Sequence, residues 1–251
     1  MLTIRDCYEA IDSFAPFATA EEWDNVGVLV GAPGDTVHRI LLALDATAAT
    51  IAEAKEKRCN LMITHHPVIF RPVSRFSSSD PAYLLAAAKT GLIATHTNLD
   101  IAAGGVNETL FHRLGLRPDS MEQSGFVLTG ELPVYMTWEG FAGHVKAALN
   151  APGVQLLPGG AKDIRKVALC AGAGGEFIPD AAALGADVFV TGEAKYHELL
   201  EAPARGIGVV SAGHFYTENI VLGSLRQMLL ERLPGVEILL SDVVSDGTQF
   251  V

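Results

Sequence analysis

Apolar and polar positions in this chain switch between a helical and a strand-like period, and the switches mark out the elements in turn. Ile4, Cys7, Tyr8, Ile11 and Phe14 recur at helical spacing behind Thr3, which predicts a capped first helix ending near Pro16. A polar loop, Glu21-Glu22-Trp23-Asp24-Asn25, runs into the strand Val26–Gly31, and Ile40–Leu44 is a second, buried strand. An Ala-rich helix to Arg58 leads to the strand Leu61–Thr64. Asp80-Pro81 opens a helix to Thr90, and Gly91–Thr95 is the next strand. Asn107 is expected to cap a helix ending at Gly115. Strands alternating with helices at this spacing predict an α/β fold with mostly parallel sheets.

Ligands of such sheets gather beyond the carboxyl ends of the strands. Asp45, His65, His66, His96 and Asp100 all fall at such ends. Neighbouring side chains on a strand point to opposite faces, so His65 and His66 can serve one site only if the strand stops there. Pro67 stops it. Two splayed imidazoles suit two neighbouring metal ions better than one.

The second half repeats the arrangement. Residues 186–193 match residues 59–66 position by position, and Gly208–His214 matches the strand into His96. This predicts an internal duplication, with residues 120–165 as linker and edge region, including a helix from Glu139 to Leu149. The Gly172–Gly175 run fits neither the dinucleotide nor the P-loop pattern and reads first as a tight strand-to-helix turn, with a phosphate cradle as the alternative.

Composition narrows the functional classes. The chain has 251 residues, 49% hydrophobic and 19% charged, as expected of a globular protein. A formal net charge of −11, with no local basic patch, predicts no extended nucleic-acid surface. Three dispersed cysteines favour reduced thiols over a disulfide framework, and no apolar run reaches transmembrane length. No membrane association and a cytoplasmic location are the expectations.

The last motif is Gly213-His214-Phe215-Tyr216-Thr217-Glu218-Asn219, opening a helix to about Leu233. If the helix includes His214, then His214 and Glu218 share a face at i and i+4. If Thr217 caps it, Glu218 sits in the first turn, where the helix dipole favours a carboxylate. Either way Glu218 suits a cation. Asp100 and Glu218 contribute −2, so two divalent ions would leave the site positive enough for an anionic substrate. Imidazole and carboxylate without thiolate suit Zn, Mn, Fe, Co or Ni. Glu193, at the place matching His66, and His197, one helical turn on, are candidates for proton transfer; two solvent-facing residues at a helix start are the plain alternative.

Together E-E-W-D-N-V-G at 21–27, L-D-A-T at 44–47, T-H-H-P at 64–67, T-H-T-N-L-D at 95–100, T-G-E at 191–193 and G-H-x-x-T-E at 213–218 resemble the Nif-three-like family. Its members are labelled GTP cyclohydrolase type 2 homologs or dinuclear metal-binding hydrolases. The resemblance implies a duplicated α/β fold, 1–122 plus 209–251 and 123–208, with no inserted third domain and a pair of divalent ions in the cleft between the halves. By motif the ligands are His65, His66, Asp100, His214 and Glu218, with Glu218 bridging. His96 ligates or stands behind the ligands, as does Asp45. The resemblance also implies a homo-oligomer, commonly a hexamer, and a small-molecule substrate, by the label a nucleotide. Tyr216 and Asn219 replace the family's usual Ala and Arg, and any anion contact made by that arginine is not expected here. A metallochaperone or a structural scaffold using the same cluster are the competing classes.

Overall fold

The computed structural model describes residues 1–243 and 246–248. The described residues form two compact units, Met1–Gly105 with the segment from Leu222, and Val106–Val221.

In the first unit, α1 (Ile4–Asp12) begins at the Thr3 cap, where the Thr3 hydroxyl accepts from the Asp6 amide and the Asp6 carboxylate accepts from the Thr3 amide. The helix stops at Asp12, short of Pro16, and Phe17–Thr19 make a separate 3-10 turn. Then follow β1 (Gly27–Val30), β2 (Arg39–Ala43), α2 (Ala48–Glu56), β3 (Leu61–Thr64), α3 (Pro81–Ala88), β4 (Gly91–Ala94) and the single-turn α4 (Thr97–Asp100). The unit is completed from the far end of the chain by α10 (Val221–Arg232) and β11 (Glu237–Leu240).

The five-stranded sheet runs β1-β4-β3-β2-β11. Its β4-β3-β2-β11 pairings are parallel, and only β1 runs the other way. Leu41, Ala43, Met62 and Leu92 pack with Ile51, Ala54 and Leu85 of α2 and α3. The opposite-facing Ile40, Leu42, Leu61, Ile63 and Ile93 are equally buried, so the sheet is covered on both faces. The reversal of β1 sets Gly27, at its start, against Ala94, at the end of β4. The polar loop before β1 therefore lies at the carboxyl ends of the parallel strands.

In the second unit, α5 (Val106–Arg113), β5 (Glu122–Ser124), β6 (Val127–Met136), α6 (Trp138–Leu149), β7 (Gln155–Leu157), β8 (Ile164–Cys170), α7 (Ile178–Ala183), β9 (Val188–Thr191), α8 (Tyr196–Glu201), β10 (Gly208–Ser211) and α9 (His214–Glu218) surround a six-stranded sheet, β5-β6-β8-β9-β10-β7. Its β8-β9-β10 centre is parallel and its flanking pairs are antiparallel. Residues 120–165 are thus no linker: they supply β5, β6, α6 and β7 of this sheet. The strand at 208–211, which the boundary implied by the resemblance cuts at 208/209, hydrogen-bonds to β9 and β7 and belongs here, as the internal repeat predicts. Asn107 does not cap α5, which already includes it. Its buried amide accepts from the Ala171 backbone N–H at 2.9 Å and donates to the Phe126 carbonyl at 3.0 Å, pinning the ends of two strands.

The duplication extends to side chains. Asn60 Oδ1 accepts from the backbone N–H groups of His38 and Arg39 at the start of β2. At the matching place Asp187 Oδ2 accepts from the N–H groups of Arg165 and Lys166, both at 2.8 Å. The backbone links agree: Asn60 N–H to Arg39 and Gly91 N–H to Asn60 in one unit, Asp187 N–H to Lys166 and Gly208 N–H to Asp187 in the other. Each clamp satisfies amides that lie beside the ladder. Asp187→Ala should therefore destabilise the protein by about 1–3 kcal/mol in urea unfolding. Asp187→Asn, which keeps the acceptor that Asn60 uses, should retain most of the stability.

Candidate metal centre

In the first unit β3 ends on His65 and His66, and β4 ends on Thr95 and His96. Pro67 is buried, and the Thr64 hydroxyl donates to the His66 carbonyl at 2.8 Å, closing the turn that keeps both imidazoles at the strand end. The two rings are tilted by 49° with centroids 5.0 Å apart, splayed as the strand-stop argument requires.

All three histidines are tied by the same ring atom. His65 Nδ1 lies 3.0 Å from the Thr95 carbonyl, His66 Nδ1 2.7 Å from Asp45 Oδ1, and His96 Nδ1 3.0 Å from Asp24 Oδ1. A carbonyl and two carboxylates can only accept, so each Nδ1 carries a proton, and in the neutral ring Nε2 is then the nitrogen with a lone pair to give. The three histidines bring one ring nitrogen each to within 4.8 Å of the others. Asp100, on α4, sets its Oδ1 3.5 Å from His65 Nε2.

The T-H-T-N-L-D stretch gives almost every residue a task here. The Thr95 carbonyl holds His65, His96 and Asp100 face the cluster, and the Thr97 amide and hydroxyl both donate to Asp24 Oδ2, at 3.1 and 2.6 Å. Asn98, fully buried, accepts from the His96 N–H and donates to Ala15 and Thr95, which fixes the backbone that carries His96. Leu99 goes into the core. Burial pushes the Asp24 carboxyl up, but the hydrogen bonds from His96 and Thr97 overcome it and hold its pKa near 2. Asp24 thus stays ionised and keeps its hold on the imidazole.

In the second unit α9 includes His214, so His214 and Glu218 share a face at i and i+4. His214 Nε2 lies 3.0 Å from Glu218 Oε2, and His214 Nδ1 lies 3.4 Å from Glu193 Oε1. The helix containing them breaks after Glu218, and α10 is a separate helix. Glu218 is buried, a position that is costly for a carboxylate unless positive charge comes to it. Gly172, with φ +62°, makes room for it: a Cβ there would collide with Glu218 Oε1. The glycine run is a turn, not an anion cradle. Its amides are used internally, Gly172 to Thr217 Oγ1, Gly174 to Thr191 Oγ1 and Gly175 to the Glu193 carbonyl. His197 lies exposed on α8.

In each unit imidazole and carboxylate come together, donors that fit a borderline divalent cation. The three cysteines are buried, and none joins the donor groups among the described residues. Burial raises the Cys7 thiol to about 12, which makes it a core residue rather than a ligand.

A model of the Duf34/NIF3 (NGG1p interacting factor 3) family matches residues 2–247. The chain belongs to the DUF34/NIF3 family. A protein of Clostridium perfringens named GTP cyclohydrolase 1 type 2 homolog is 31% identical over 262 residues, covering 100% of both chains. Among solved structures, Staphylococcus aureus protein SA1388 is 28% identical at a TM-score of 0.92, covering 100% of this chain and 99% of that one. Reduced HcgD from Methanocaldococcus jannaschii is 26% identical at a TM-score of 0.82, covering 96% and 98%.

The DUF34/NIF3 fold accordingly places His65, His66, His96, Asp100 and Asp45 together in one unit, and His214, Glu218 and Glu193 together in the other. Asp24 is a site residue that the sequence pattern does not single out. Its signal was a polar loop just before a strand, and only the strand's reversed direction makes that loop relevant. Exchanging Asp24 or Asp45 for alanine should weaken zinc or manganese binding by about 10- to 100-fold in competition with a chelator, with little change in circular dichroism. Gly172→Ala should cost about 1–3 kcal/mol of stability through its left-handed backbone and, by displacing Glu218, also lower metal retention on dialysis.

Proposed function

We propose that this protein is a divalent-metal-dependent hydrolase, and that His65, His66, Asp100, His214 and Glu218 hold two ions between them. His96 is a further donor or a support at the same cluster. The reading rests chiefly on the three Nδ1 tethers. Histidines packed for stability alone have no need to be tethered through the same ring nitrogen.

When bound, paired divalent ions lower the pKa of water toward neutrality and draw charge from an ester, amide, imine or phosphoryl centre. The chain's own groups do the rest. Asp24, Asp45 and the Thr95 carbonyl hold the imidazoles in orientation. Glu218 and Asp100 balance the positive charge. Glu193, 61% exposed and facing His214 Nδ1, exchanges a proton with solvent, with His197 as the other candidate for that transfer. The substrate is a small anionic molecule. The name carried by the Clostridium perfringens relative points to a nucleotide and to opening of a purine ring. The acting form is a homo-oligomer in the cytoplasm.

Protein purified without a metal-binding tag should carry two ions per chain by elemental analysis. Loaded protein, screened against nucleotides, phosphodiesters and cyclic amides, should turn over one class in proportion to occupancy. Glu218→Gln should keep at least one ion while losing rate by about 100-fold or more. Rapid transfer of the ions to an acceptor protein, with no turnover at full occupancy, would instead mean a metal-handling role and refute the hydrolase reading.

A further inference from the structure

His96 stands between two groups of rings. On one side are His65 and His66, with centroids 5.0 and 5.5 Å away. On the other are Phe70, at 5.5 Å, and Trp23, at 6.2 Å, both edge-on to the imidazole. Trp23 and Phe70 stack on each other, with centroids 5.9 Å apart and planes 20° from parallel. Both are open to solvent, Trp23 at 59% and Phe70 at 47%. Large aromatic side chains are normally buried, and Trp138, the other tryptophan, is.

These rings are not on a loose loop. Asn25 Nδ2 donates to the Ile69 carbonyl at 2.6 Å, joining the segment after Trp23 to the residue before Phe70. Asp24 is locked to His96 and Thr97, the Glu21 N–H donates to Thr97 Oγ1, and the Asp24 N–H donates to the Glu21 carbonyl. Hydrogen bonds on both sides of Trp23 and immediately before Phe70 thus hold two exposed rings nearly parallel beside the histidine cluster. That is a preformed surface for a flat, apolar-faced group.

We infer that Trp23 and Phe70 form a platform that determines specificity, stacking a planar aromatic ring of the substrate, of nucleobase type, next to the His65–His66–His96 cluster. The reaction performed there rests on the hydrolase reading, but the ring recognition does not. Neither residue is a metal donor, and neither takes part in proton transfer. The platform explains how a site built of metal donors distinguishes a nucleotide from other phosphorylated molecules. Coordination to phosphate reads charge, whereas stacking reads a ring.

The test uses the full chain, stripped of metal by a chelator, so that its outcome does not depend on turnover. Guanosine 5′-monophosphate and uridine 5′-monophosphate are compared with ribose 5-phosphate, which shares their sugar phosphate but has no base. Calorimetric titration should show both nucleotides binding about tenfold or more tightly than ribose 5-phosphate. Trp23→Leu and Phe70→Leu should each erase most of that preference, Trp23→Phe should restore it, and manganese content after loading should be unchanged in all three. Equal affinity for the three probes in the unaltered protein would overturn the inference, as would a preference that survives Trp23→Leu. So would a preference left intact while Trp23→Leu lowers the mass in sedimentation, since the rings would then be covered by a second copy of the chain. Absence of turnover in fully loaded protein would count against the hydrolase reading alone and leave this binding result standing.

Discussion

The first unit depends on a hydrogen-bonding restriction: a histidine whose Nδ1 gives its proton to an oxygen has only Nε2 left for a ligand. That restriction is imposed three times, by one backbone carbonyl and two carboxylates, on rings at the ends of two adjacent strands. The supporting groups are supported in turn. Thr50 Oγ1 donates to the Asp45 carbonyl, Thr97 holds Asp24, and Asn98 holds the turn at His96. A polar assembly of this kind stays buried only when its members satisfy one another, which is why so many threonines and asparagines in these motifs are fully enclosed.

Much of this was legible in the chain because it follows from local rules. Apolar runs of four residues gave the buried strands, Thr3 gave a helix start, and polar residues collecting at strand ends gave His65, His66, His96, Asp100 and Asp45. The i, i+4 spacing of His214 and Glu218 was one of two open possibilities, and the helix that includes His214 selects it. What escaped was non-local. Asn107 has the composition of a cap, yet its amide is drawn to Ala171 and Phe126, partners that only the folded sheet supplies. Residues 120–165 lack a strong repeat signal because they form the flanking strands, where the two sheets differ most. Asp24 was hidden because strand direction cannot be read from an apolar run.

The two copies keep one frame and differ in what they hang on it. The position of His65 in the first unit is Gly192 in the second, and the structure explains why no imidazole stands there. A Cβ at Gly192 would press on the Gly172 carbonyl, on the His214 backbone and on Thr217 Oγ1. In that unit the space beyond the strand is filled by α9, which brings its own histidine and carboxylate. The candidate donors thus stand at strand ends in one unit and on a helix in the other, while the Asn60 and Asp187 clamps occupy matching places at the strands beneath.

The tethers also differ in how far they reach along the polypeptide. His66 and Asp45 are 21 residues apart, His65 and Thr95 are 30, and His96 and Asp24 are 72. Because β1 docks antiparallel on β4, the longest of these closures joins the loop before the edge strand to the end of its neighbour, and its loop-closure entropy is the largest of the three. The imidazoles are thus aimed by oxygens of the chain itself. A cation bound to rings held in this way would give its free energy of coordination to affinity, where a zinc finger spends it on acquiring structure.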